Sequence, residues 1–165
     1  MKIYIVRETA TDEKRVALVP DVAKKFIKEG FEIFLEKSAG HLSKFTDEDY
    51  SSLGVIIDDS QEGISDADII FCVRIPSDNI INKIKSGACL IGLLNPYDNQ
   101  EKLELLSKKG VNAFSMELIP RSPRAQSMDV LSSQSNLAGY KAVINSASLY
   151  NRAMPMMMTA AGTIA

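Results

Sequence analysis

Two stretches of this chain, residues 67–73 and 88–94, are apolar almost from end to end. Each stops at a polar residue with a proline close behind, Arg74 before Pro76 and Asn95 before Pro96. A strand with one wet face alternates apolar and polar residues. A continuous apolar run has to be covered on both faces, which points to a parallel sheet between helices. Shorter runs at residues 3–6, 31–35, 55–57 and 111–114 repeat the signal. Helix patterns lie between them. Pro20 suits a first helical turn, Val22, Phe26 and Ile27 share a face opposite Lys24, Lys25 and Lys28, and Gly30 is the stop. Thr46, followed by Asp47, Glu48 and Asp49, caps a short helix ending near Gly54. Ile80, Ile81 and Ile84 mark a third helix. Leu103, Leu105 and Leu106 mark a fourth that begins near Asp98 and ends at Gly110. The expected fold over residues 1–118 is α/β: an open, mostly parallel, flavodoxin-like sheet with helices on both faces.

The composition changes at residues 119–132, which hold two prolines and two arginines and show almost no periodicity. This reads as a long structured loop or linker, and such loops often carry function. Residues 133–151 are strongly helical, with Leu137, Tyr140, Ile144 and Ala147 on one face and Ser132 or Ser133 as the cap. Residues 153–165 are rich in Met and Ala. The run Met154-Pro155-Met156-Met157-Met158 invites a thioether copper site, but consecutive methionines cannot converge on one ion. Flexible apolar filling is the simpler account, and an apolar end of this kind would make an aggregation or dimer surface.

Several classes of function are disfavoured. The 165 residues carry a formal charge of −2 with Lys and Arg dispersed among Asp and Glu, so no nucleic-acid partner is expected. Cys72 and Cys89 sit in apolar runs and read as buried free thiols. His41 is the one histidine, which argues against a His-based metal site and reads best as a surface loop residue. No signal peptide and no apolar run near the ~20 residues that span a bilayer is visible. The expectation is a cytoplasmic chain with no direct membrane span. Neither a G-x-G-x-x-G fingerprint nor a P-loop is present, and Gly110, Gly139 and Gly162 are too isolated to cradle a pyrophosphate.

The richest polar stretch is Arg121-Ser122-Pro123-Arg124-Ala125-Gln126-Ser127-Met128-Asp129-Val130-Leu131-Ser132. A nicotinamide carboxamide presents a donor and an acceptor. Gln offers the complement, and Asp or Ser takes a further N–H. Arg121 could brace Asp129 by a bidentate contact. A solvated linker with a helix cap fits the same residues, and the chemistry alone leaves both open.

From Arg121 to Ala142 the chain resembles the signature stretch of the NAD(H)-binding alpha subunit of proton-translocating, Si-specific NAD(P)+ transhydrogenase, a family related to alanine dehydrogenase. The N-terminal pattern is shared by both: Arg7-Glu8, Glu13-Lys14-Arg15-Val16-Ala17-Leu18-Val19-Pro20, Glu36-Lys37-Ser38-Ala39-Gly40 and Phe45-Thr46-Asp47. The resemblance implies an enzyme subunit that takes part in hydride transfer between NADH and NADP+. Coupling to proton translocation would run through the beta subunit and a membrane-domain subunit, with NADP(H) held by a partner and the chain peripheral at the inner membrane. It further implies that Arg121, Gln126, Asp129 and Ser132 contact the nicotinamide end of NAD(H). Gln126 would lie nearest the ring, Asp129 and Ser132 would hold the carboxamide, and Arg121 would pair with Asp129. Gln126 and Asp129 would serve catalysis by orienting the ring rather than as acid or base.

A homodimer is implied for the complete alpha subunit, with a Rossmann-type domain following and residues 133–165 as its first helix and lead-in. The present chain alone is then expected to bind NAD(H) weakly and to be inactive. Two other readings stand beside this one. One is a non-catalytic binding or assembly module. The other is an alanine dehydrogenase-like amino-acid oxidoreductase, a family that uses an Arg, a Lys and a proton-carrying His. Arg15 fits the first and Arg74 stands at the second. Asn95 falls at the His position and cannot carry a proton at neutral pH. Arg15 could equally be a charge that stabilises the loop before the first helix.

Overall fold

The first strand, β1 (Lys2–Ile5), is followed by helix α1 (Pro20–Lys28), β2 (Glu32–Glu36), α2 (Asp47–Ser51), β3 (Ile56–Asp58), β4 (Ile69–Arg74), α3 (Asp78–Lys83), β5 (Cys89–Leu93), α4 (Gln100–Lys108) and β6 (Asn112–Ser115). This computed structural model describes residues 1–152, 154 and 156–164. Its Cα atoms group into two units, Met1–Ile119 and Pro120–Ala165.

All five pairings within the six-stranded sheet are parallel, and its order is β3-β2-β1-β4-β5-β6. Without the three-residue edge strand β3, the other five stand in the flavodoxin-like order. With it, the sequence of strands is that of a doubly wound dinucleotide fold. The period of two in a strand sorts the core into two layers. Tyr4, Val6, Ile70, Cys72 and Leu90 pack with Ile81 and Ile84 of the α3 region and Leu106 of α4. Ile3, Ile5, Ile33 and Leu35, with Ile69 and Phe71 alongside, pack with Ala23 of α1 and Tyr50 of α2. The Tyr50 hydroxyl donates to the Leu18 carbonyl at 2.8 Å, which fixes the end of the β1–α1 connection.

Local signals act where the sequence places them. Pro20 opens α1. Thr46 forms a full capping box with Asp49. Gly30, Gly54 and Gly110 all take the left-handed backbone expected of helix stops. Strand limits shift by one or two residues from the apolar runs, because the ends of those runs turn into loops that are still buried.

The second unit holds helix α5 (Val130–Leu149) and an antiparallel hairpin of β7 (Met157–Thr159) and β8 (Gly162–Ile164). The cap of α5 is Asp129, not Ser132 or Ser133: its carboxylate accepts from the Ser132 backbone N–H. Asp and Ser cap about equally well, so the choice follows from where the helix starts: Asp129 stands just before Val130, and Ser132 and Ser133 already lie in the first turn. The expected apolar face does not become a buried face. Leu137, Tyr140 and Ile144 are 60%, 70% and 46% exposed, and no residue of α5 is buried. Of the Met-rich run, Met157 and Met158 belong to β7, whereas Pro155 lies outside the described residues, as do Ala153 and Ala165. Cys72 is buried, Cys89 is half-buried, and both are free. Among the described residues no helix is long and apolar enough to cross a membrane. No group of three or more His, Cys, Asp or Glu side chains among them could hold a metal ion.

Of the glycines, Gly92 has the least room for a side chain. A Cβ there would lie 2.5 Å from both the carbonyl oxygen and the Sγ of Cys72 on the neighbouring strand. One of the two contacts is with backbone, so a change of side-chain rotamer cannot relieve it. Gly92→Ala is therefore expected to lower stability by about 2 kcal/mol through overpacking, read as a lower urea midpoint at unchanged slope.

Candidate functional site

Chain order reverses between β1 and β4. In sheets of this kind the crevice beyond the carboxyl ends at such a point is where ligands bind. Here it is a cleft of about 400 Å³ whose lining includes Arg7, Glu8, Glu36, Gln61, Arg74 and Lys102. A second, of about 350 Å³, shares Arg7, Glu8 and Thr9 and adds Glu13, Arg15 and His41.

Acids brace this rim. The Glu8 carboxylate accepts from the backbone N–H of Val73 at 2.6 Å and of Arg74 at 3.2 Å. Those two residues fall where the β4–β5 register slips, so Glu8 serves amides that the ladder leaves over. Burial pushes the Glu8 carboxyl up, against the pull of the two amides. Glu36, at the end of β2, accepts from the Arg7 backbone N–H at 2.9 Å and from Gln61 Nε2 at 2.8 Å. Glu13 is 6% exposed, and both of its oxygens meet guanidinium groups. Arg15 Nε and Nη2 each donate to it at 2.7 Å, and Arg74 Nε donates at 3.0 Å. The Arg15 hydrogen bonds chiefly, with Arg74 added, outweigh burial and hold Glu13 at about 2.

A third cleft, of about 390 Å³, lies wholly in the second unit. It is lined by Arg121, Ser122, Pro123, Gln126, Asp129, Ser132 and Ser133. The single-turn 3-10 helix Gln126–Met128 leads directly into the Asp129 cap. Asp129 accepts from Ser132 Oγ at 2.6 Å and from Ser132 N at 3.0 Å. These bonds, the hydroxyl first, hold its carboxyl below the usual range, and the charge of Arg121 adds a smaller pull. Among the described residues Arg121 makes no ion pair with Asp129, so the expected bidentate brace is replaced by the Ser132 hydroxyl, which reaches the carboxylate from three residues away.

The family described as "Alanine dehydrogenase/PNT, N-terminal domain" matches residues 4–138. The chain belongs to that family. This alanine dehydrogenase/PNT domain is 46% identical over 171 residues to an NAD(P) transhydrogenase subunit alpha of Rickettsia prowazekii, covering 99% of the chain and 44% of the relative. A solved structure of transhydrogenase from Sinorhizobium meliloti superimposes with a TM-score of 0.92 at 44% identity, over 99% of this chain and 49% of that one. A solved L-alanine dehydrogenase gives 0.81 at 26% identity, over 90% and 40%. The chain thus spans about half the length of the proteins it matches. The resemblance read from residues 7–47 and 121–142 holds, as does the α/β fold with its parallel sheet.

The four residues singled out from the sequence, Arg121, Gln126, Asp129 and Ser132, line one cleft. Arg15 and Arg74 also come together, through Glu13. His41 is exposed and lines the same cleft as Glu13 and Arg15. Asn95 takes a left-handed backbone (φ 45°), donates from Nδ2 to Asp98 at 2.7 Å, and hands its backbone N–H to Glu117. The three bracing acids Glu8, Glu13 and Glu36 stand in the shared N-terminal pattern, which gave them no bracing role. Glu13 sits in Asp12-Glu13-Lys14-Arg15, where both signs of charge are neighbours. Its two-residue distance from Arg15, inside the family pattern, was the available clue.

The Glu13 carboxyl has an ordinary value of 4.5 and is held at about 2 in the fold. The folded value is the lower one, so its contribution is complete above pH 4.5 and disappears as the pH falls toward 2. Glu13→Gln is expected to remove that part of the acid limb. The loss should be roughly 2 kcal/mol at pH 7, kept below the full value of the shift by solvent screening at the partly exposed arginines, and should be mostly gone by pH 2. Denaturant midpoints measured across this range check it.

Proposed function

We propose that this chain supplies the nicotinamide-side wall of an NAD(H) site in the alpha subunit of a transhydrogenase. One observation carries the reading. Arg121, Gln126, Asp129 and Ser132 gather in a single cleft, in a chain 46% identical to a transhydrogenase alpha subunit. The donor set suits a primary carboxamide. Gln126 offers both a donor and an acceptor, Asp129 is an acceptor kept ionised, and Ser132 offers a hydroxyl. A cleft of about 390 Å³ has room for the ring and its amide but not for a whole dinucleotide.

When bound, the nicotinamide would supply the hydride-carrying carbon. The chain's own residues would hold the amide so that the ring presents one face, an orienting role without proton transfer. Asp129 suits this because its position is already set by its work as the α5 cap. Arg121 would keep the cleft positive enough to tolerate the nucleotide's charge. Hydride exchange with NADP(H) on a partner subunit, and proton movement through a membrane subunit, complete the proposal. The relatives' subunit names favour an assembly of this kind, and their greater length leaves room for the rest of the nucleotide site.

An amino-acid oxidoreductase is the weaker reading. Identity falls to 26% against the L-alanine dehydrogenase structure, and Asn95 offers no proton where that chemistry requires one.

In the complete protein, Asp129→Asn is expected to slow hydride transfer by about 10- to 100-fold. Stability should hardly change, since Asn caps a helix as well as Asp. Stopped-flow hydride transfer and thermal melting, run on the same variant, check both halves. An unchanged rate would remove the proposed role of the loop. Titrating the 165-residue chain itself with NADH should give no saturation at micromolar concentrations.

A further inference from the structure

Where the sheet of the first unit reaches β5 and β6, its helices cover one face. Crossovers between parallel strands are right-handed, so strands added in opposite directions from the centre carry their helices on opposite faces. Ala23 of α1 and Tyr50 of α2 accordingly lie in one core layer, and Ile81 of α3 and Leu106 of α4 in the other. The layer of α3 and α4 buries Ile70, Cys72 and Leu90. The opposite face of β4, β5 and β6 carries two rows set by register: Ile69 beside Cys89, and Phe71 beside Ile91 beside Phe114. The first four are half-buried, and Phe114 is 55% exposed.

That face is apolar all the same. The run at residues 88–94 does not alternate, and a strand with one wet face would. The helices that lead into β5 and β6 are both committed to the other face, so residues 1–119 hold no further helix for this one. On one side the face is walled by α1, where the Phe26 ring stands 5.9 Å from that of Phe71. Its size selects the cover. Three neighbouring strands span about 10 Å, and an α-helix with its side chains is about 10 Å across. More than half of the Rickettsia prowazekii relative lies outside the part that this chain matches, which is ample length for one more helix.

We propose that an amphipathic helix from the part of the complete polypeptide outside residues 1–165 packs on this face, beside α1 and across Phe71, Ile91 and Phe114. It supplies the second cover that the sequence of β5 requires. The nicotinamide reading rests on other residues, and neither outcome below bears on it.

Cys89 is the reporter. It is a free thiol in the first row, whereas Cys72, on the covered face, is 5% exposed. Iodoacetamide labelling, followed by peptide mass spectrometry, is run on the 165-residue chain and on the complete protein. Cys89 should label readily in the 165-residue chain and about tenfold or more slowly in the complete protein. In the complete protein Phe114→Lys should restore fast labelling. Ile56→Lys, on the exposed edge strand β3, should leave Cys89 protected. Equal labelling in the two proteins overturns the proposal. So does a Cys89 already inert in the 165-residue chain, because the face would then be closed without further polypeptide. If Phe114→Lys does not fold, Phe114→benzoylphenylalanine in the complete protein decides by photo-cross-linking. A link to the same polypeptide outside residues 1–165 supports the helix. A link within residues 1–165, to a second copy or to another subunit, overturns it, as does no link at all.

Discussion

A strand covered on both faces has no place for a polar side chain except at its ends. β1 and β4 are flanked by neighbouring strands and layered by Ile81 and Leu106 on one side and Ala23 and Tyr50 on the other. Burial of their apolar side chains is the favourable term that holds the first unit together. That constraint drives charge to the carboxyl rim: Glu36 ends β2, Asp58 ends β3 and Arg74 ends β4, while Arg7 and Glu8 lie just past β1. The chemistry of the first unit sits there because the sheet cannot accommodate it elsewhere.

The rim is then stitched strand to strand by carboxylates that accept backbone amides. Glu8 crosses to Val73 and Arg74. Glu117 takes the amide of Leu94 at 3.3 Å and that of Asn95. Asp58 accepts from Ser60 at 2.9 Å and Gly63 at 2.8 Å, closing the turn after β3. A carboxylate under a parallel edge can satisfy two amides at once, which water in a narrow crevice does less completely. The opposing pulls explain why these acids differ. Burial dominates at Glu8 and raises it, whereas two guanidiniums dominate at Glu13 and lower it.

The loop cleft of the second unit is built on a different principle. Most of its side chains are exposed, and its order comes from a helix start: Asp129 holds Ser132 by backbone and hydroxyl together. A cap of this kind fixes a carboxylate within one turn of chain without a core beneath it. The same residue is thereby available to serve a ligand without first being ordered.

Much of this could be read from the chain itself, and the reason is that it is local. The apolar runs at 67–73 and 88–94 required a two-faced sheet. Pro20, Thr46 and the glycines at 30, 54 and 110 set helix ends through backbone preferences that act over a few residues. The loop from Arg121 to Ser132 showed its polar richness directly, because its members are neighbours in sequence. Tertiary structure decided what depends on distant residues. Arg74 meets Glu13 across 61 positions, Glu8 reaches the amides of 73 and 74, and Asn95 turns to Glu117. The choice of Asp129 over Ser132 as the cap was local as well, yet it turned on which oxygen lay closer to the freed amide, a matter of backbone geometry that residue identity leaves open. Pattern dictates which segments must be buried. Only the folded chain brings its charges within reach of one another, because electrostatic pairing depends on separation in space and not along the chain.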